Sequence, residues 1–88
     1  MANTKSAEKR IRQSAVRRER NRAQRSKMRT AVRNLRRAVD EGEKSKAEEL
    51  LPETLRLIDS TAQKKIIHGN AAGRSKSRLT KAVAGMGV

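Results

Sequence analysis

The sequence predicts an all-α fold, a three-helix bundle with a long, projecting, basic N-terminal helix. Three observations point to it. Ala, Arg, Lys, Glu, Gln and Leu dominate the 88 residues, while strand-like runs of Val, Ile and aromatics are absent. Two short breaks, at Gly42 and at His68-Gly69-Asn70, divide the chain into three segments. Each segment carries apolar residues three and four apart, which places them on one helical face. A chain this short is expected to form one domain, residues 1–88, that buries only roughly 60% of its unfolded surface. With no aromatic residue and no Cys, its core must be built from 18 Ile, Leu, Val and Met residues and 12 Ala.

Helix 1 is predicted over about residues 6–41, with Ser6 as N-cap and Gly42 placed to end it. At 1.5 Å per residue it would span about 52 Å, more than so small a core can cover. Met28, Val32, Leu35 and Val39, with Ala31 and Ala38, form a stripe, and Arg25, Arg29, Arg33 and Arg36 lie on a neighbouring face. Before Arg25 the pattern dissolves, because Ile11, Ala15 and Val16 point away from the stripe. Lys9, Arg10, Arg12, Arg17, Arg18, Arg20 and Arg22 surround the axis there. This half is expected to project from the bundle.

Helix 2 is predicted over about residues 45–65. Ser45-Lys-Ala-Glu48 reads as a capping box. Ala47, Leu51, Leu55, Ile58, Ala62 and Ile66 form its stripe, with Leu50 and Leu57 beside it. Pro52 removes a helical hydrogen bond and predicts a bend near Leu50–Leu51 or a late restart. Helix 3 is predicted over about residues 70–84, capped by Asn70. Ala72, Leu79, Ala82, Val83 and Met86 face one side, Arg74, Arg78 and Lys81 another, and the tail from Gly85 is expected to be loose. Leu35 and Leu55 are core positions whose truncation should open a cavity worth about 2–5 kcal/mol.

Charge carries the functional reading. Between Lys5 and Arg37, 14 of 33 residues are Lys or Arg, and only Glu8 and Glu19 oppose them. Solvated helices usually mix signs to gain i,i+4 pairs, whereas like charges at that spacing destabilise. Such a run makes sense at an interface with a polyanion. Arg outnumbers Lys by 11 to three in the run, which suits bidentate phosphate contacts and stacking on exposed bases. Residues 41–65 are nearly neutral, and residues 66–88 carry four basic groups and no acid.

Other classes are disfavoured. One His, two Asp, and no Cys or Tyr leave no nucleophile–base pair, no metal site and no cofactor requirement, so an enzyme is not expected. Gly69-Asn-Ala-Ala-Gly73 lacks the Lys-Ser/Thr ending of a phosphate loop. No apolar run approaches a membrane span, and MANTKSAEKR has no secretory core, so a cytoplasmic protein without a small-molecule substrate is expected. A basic DNA-binding or nucleoid-associated helical protein is the alternative. Asn21-Arg-Ala-Gln-Arg-Ser26 partly fits a leucine-zipper basic region, but heptads from Met28 run into Gly42 and Pro52.

Three blocks carry a more specific signal: NTKSAEKRIRQ near the start, RRERNRAQRSKMRTAVR in the long helix, and IIHGNAAGRSKSRLTKAV near the end. In content and order they resemble the bacterial small-subunit ribosomal protein S-twenty family across essentially the whole chain. The resemblance implies a structural three-helix protein bound directly to small-subunit (16S-type) ribosomal RNA, holding RNA segments together during assembly. Other small-subunit proteins would lie nearby. It carries the RNA-facing role onto Lys5, Lys9, Arg10, Arg12, Arg17, Arg18, Arg20, Arg22, Arg25 and Arg29 in the long helix. In the last block it carries that role onto His68, Asn70, Arg74, Lys76, Ser77 and Arg78.

Overall fold

The computed structural model describes residues 3–87, and side chains from Lys5 to Met86. It contains α1 (Asn3–Asp40), α2 (Lys44–Gln63), α3 (Gly69–Ala84) and a closing 3-10 turn, η1 (Gly85–Gly87), with no strand among the described residues. The molecule measures 68 × 21 × 15 Å, and α1 sets its long dimension.

Helix α1 begins at Asn3, so Ser6 lies inside it and is not its cap. It ends where the sequence predicts, by a Schellman motif: Gly42 adopts φ +73°, its N–H donates to the Val39 carbonyl, and the Glu43 N–H donates to the Ala38 carbonyl. That turn also undoes the expected capping box. With the Glu43 N–H already used, α2 restarts at once from Lys44, Glu43 is the N-cap, and no side chain caps this end. Ser45 is therefore a helical residue. No late restart occurs at Pro52, and α2 runs unbroken through it. Pro52 and Glu48 are both exposed, so solvent can serve the Glu48 carbonyl that lost its partner.

The second turn repeats the first without a glycine. The Lys65 N–H donates to Ala62 and the Ile66 N–H to Thr61, and Lys65 takes φ +60°. A left-handed conformation costs a residue with a Cβ about 1–2 kcal/mol. Lys65→Gly is therefore expected to raise the stability of the bundle by up to about 1 kcal/mol, because the more flexible unfolded chain offsets part of the relief. Urea unfolding measures this directly. Helix α3 then starts at Gly69, and its cap is His68, whose Nδ1 accepts the Asn70 N–H at 3.1 Å. Asn70, expected to cap, lies in the first turn and supplies the donated N–H.

The core consists of Leu35, Ala38, Ala47, Ile58, Ala72, Leu79 and Val83. Met28, Val32, Val39, Leu50, Leu51, Ala62, Ile67 and Met86 pack around it half-buried. Met86 thus ties the η1 end of the chain to the bundle, where a loose tail was expected. The middle helix is α2: α1 and α3 both pack on it and touch each other only slightly. The buried line of α2 runs through Ala47, Thr54, Ile58 and Thr61, rotated by about 60° from the predicted stripe. Its centre is polar because each threonine hydroxyl bonds its own helix, Thr54 to the Leu50 carbonyl at 2.8 Å and Thr61 to that of Leu57 at 2.6 Å. Leu55 is left half-buried, outside the core cluster.

Candidate nucleic-acid interface

Every side chain from Lys5 to Arg20 is exposed, and the first half-buried residues of α1 are Asn21 and Gln24. The rod therefore leaves the bundle about one turn earlier than the apolar pattern predicts. The reason lies in the seam. Leu35, Val32 and Met28 continue N-terminally at the same spacing as Gln24, Asn21, Arg17, Gln13 and Arg10, so the packing line persists while its chemistry turns polar.

Gln24 anchors the base of the rod. Its Nε2 donates to the buried Thr61 Oγ1 at 3.1 Å, and its Oε1 accepts from Lys64 Nζ at 3.3 Å. One amide thereby joins α1 to the C-terminal end of α2. The overhanging rod and the α2–α3 turn enclose an open notch of about 1000 Å³. Arg12, Arg17, Arg20, Lys27 and Lys64 supply its charge; Gln13, Asn21 and Gln24 its amides; Val16, Ala23 and Ile66 its apolar surface. No carboxylate lines it.

A second face of α1 is more ordered than charge on all sides would suggest. Arg18, Arg22, Arg25, Arg29, Arg33 and Arg36 follow one another at spacings of four and three, so they form a single ladder from the rod onto the bundle. Two shallow hollows of about 480 and 420 Å³ lie along it, the first bordered by Arg18, Arg22 and Arg25 with Glu19 and Asn21, and the second by Arg22, Arg25, Arg29 and Arg33. The ladder can meet a line of phosphates, whereas the notch presents a concave site.

In the last block the residues divide. Asn70, Arg74, Ser77 and Arg78 are exposed on the side of α3 opposite Ala72, Leu79 and Val83. Arg74 Nε reaches the Asn70 carbonyl at 3.4 Å, which lays its guanidinium along the helix start. Exposed His68 sits at the same end, where the unpaired N–H groups of α3 add positive partial charge. Lys76 turns inward and bonds Asp59 Oδ1 at 2.8 Å, so it bridges α3 to α2. Lys27, Lys64 and the amides Asn21 and Gln24 are additions to the RNA-facing residues expected from sequence. Among the described residues, no group of His, Cys, Asp and Glu side chains is arranged to hold a metal ion, and no helix is long and apolar enough to cross a membrane.

Comparison with known proteins gives a consistent result. The family model described as Ribosomal protein S20 matches residues 2–84. A small ribosomal subunit protein bS20 from Nitrosomonas europaea is 54% identical over 87 residues, spanning 99% of this chain and 100% of its own. The protein of the same description from Burkholderia multivorans is 51% identical, over 98% of this chain and 96% of its own. That from Nitrosomonas eutropha is 49% identical, over 99% and 100%.

Proposed function

This chain belongs to the ribosomal protein S20 family, and from that premise we propose that it is a structural constituent of the small ribosomal subunit that binds its RNA directly. It is no enzyme, and it works in the cytoplasm, where bacterial ribosomes are. The whole chain serves as one RNA-binding unit. Its bundle is the fixed block, and its rod enters a groove between RNA segments.

The observation that carries this reading is the exposed rod, Lys5 to Arg20, with seven basic residues that face no core. RNA helices resist close packing because both are anionic, and a cationic rod between them lowers that repulsion. The contacts run from Lys5, Lys9, Arg10 and Arg12 through Arg17, Arg18 and Arg20 to Arg22, Arg25 and Arg29. At the other end of the site, His68, Asn70, Arg74, Ser77 and Arg78 supply a second grip, which Lys76 joins only by releasing Asp59. Recognition is mainly of shape and phosphate position.

Two measurements test this. The protein should co-sediment with the small subunit, lose that association on nuclease treatment, and prefer ribosomal RNA over plain duplex DNA at physiological salt. Equal competition by DNA would favour the nucleoid-associated alternative. The double variant Arg17→Ala, Arg18→Ala should weaken RNA binding by about tenfold or more, at roughly one phosphate contact per arginine, and leave the thermal transition nearly unchanged. Both side chains are exposed, so a fall in the transition temperature would count against a purely binding role.

A further inference from the structure

We infer that the notch between the rod and the α2–α3 turn is a seat for a single unpaired nucleotide, which makes it a base-reading site within an otherwise shape-reading surface. The inference rests on the RNA-binding reading above and adds what this part of the surface recognises.

The chemistry of the lining sets the notch apart from the ladder. Phosphate oxygens only accept hydrogen bonds, so a backbone grip needs donors alone, as the arginine ladder supplies. The notch differs. Asn21 and Gln13 each offer both a donor and an acceptor, and among the described residues neither side chain has a hydrogen-bond partner. Such amides match the mixed donor–acceptor edge of a base. Gln24, whose amide is already spent on Thr61 and Lys64, serves as wall.

Apolar surface adds to this. Val16 is 50% exposed, and Ile66 is half-buried across the notch from it. Exposed aliphatic surface is of little use to a phosphate but can meet the face of a base or a ribose. Arg17, Arg20 and Lys64 stand around these groups, positioned for the flanking phosphates, and no carboxylate repels them. In an A-form duplex the bases are stacked, with their edges recessed in the deep major groove or laid flat along the shallow minor groove, so none projects into a concave site. A nucleotide turned out of the stack can enter, because its Watson–Crick edge and one face are free.

Binding of the full-length protein to RNA hairpins tests the inference. One stem is uninterrupted, and the others carry a single unpaired nucleotide, each of the four bases in turn. At fixed salt, at least one bulged stem is expected to bind about tenfold more tightly than the uninterrupted one, the worth of one good amide–base pair. Asn21→Ala, which borders both the notch and the ladder, should abolish that preference. Gln13→Ala, at an exposed position that borders the notch alone, should do the same and leave affinity for the uninterrupted stem intact. Arg25→Ala, which borders the ladder and not the notch, should weaken binding to all stems alike. Equal affinity of the unaltered protein for every stem would overturn the inference, as would a bulge preference that survives both amide substitutions. Failure to bind ribosomal RNA at all would overturn the RNA-binding reading itself, a distinguishable result.

Discussion

Raising the salt concentration from about 50 to 200 mM is expected to weaken binding to small-subunit ribosomal RNA by about 10³–10⁵. About 6–10 neutralised phosphates produce a fall of that size, with duplex DNA as the guide. The six-arginine ladder and the cations of the notch supply that many contacts without invoking the rest of the surface. Almost no acid competes along this length: only Glu8 and Glu19 lie between Lys5 and Arg37. Each counterion released from RNA therefore counts toward the slope. A titration series in salt gives the contact number from log K against log[salt], and each ladder Arg→Ala should reduce the slope by about one. Lys44→Ala is the matched control, since that lysine already pairs with Glu48 at 3.9 Å and lies outside the basic faces. A flat salt response would refute the electrostatic mechanism, whatever the affinity.

The helices were legible because their signals are local. Helix-forming composition, apolar residues three and four apart, and Gly42 at a turn each act within a few residues. What the sequence hid lies in groups that change character when they pair. Thr54 and Thr61 read as polar, yet each returns its hydroxyl to its own helix and so sits at the centre of a buried seam. A hydropathy stripe consequently points toward Leu55, which the fold leaves half-buried. Lys65 carries no mark of a left-handed turn, because the Ile66-to-Thr61 bond, not residue type, imposes it. His68 is an unusual cap, and Asn70 two residues later is the more obvious candidate.

The site divides in the same way. The rod could be read directly, since a helix with charge on all sides and no apolar stripe has nothing to pack against. The notch could not. Its walls meet through Gln24 with Thr61 and Lys64, pairs 37 and 40 residues apart in the chain. One signal was available: the seam through Leu35 and Met28 continues at unchanged spacing into Gln24, Asn21 and Gln13. A seam that keeps its period while losing its apolarity marks where a helix leaves its core. Lys76 shows the opposite error. In sequence it belongs with Arg74 and Arg78, but its helical position turns it toward α2, where Asp59 meets it.

Leu35→Ala is expected to destabilise the bundle by about 2–5 kcal/mol, one of the largest effects a core truncation can have on this fold. Leu35 is 0% exposed and is the largest apolar side chain that α1 commits to the core. Three of the seven core residues are alanines, so little neighbouring volume can collapse into the gap. At about 0.05–0.15 kcal/mol per residue a domain of this size has roughly 4–13 kcal/mol to lose. The exposed rod adds nothing to that reserve. The variant should therefore unfold at or near ambient temperature, as seen by loss of the cooperative transition in calorimetry. Leu55→Ala, expected from sequence to match it, should cost clearly less because Leu55 stands outside the cluster. Ile11→Ala, at a residue 69% exposed on the rod, should leave the transition unmoved. RNA affinity should respond in the opposite order. The rod variants change binding without changing stability, and Leu35→Ala loses binding only above its own lowered transition, when the block that aims the rod is gone. If Leu35→Ala and Leu55→Ala proved equally costly, the packing of α1 on the threonine line of α2 would be refuted.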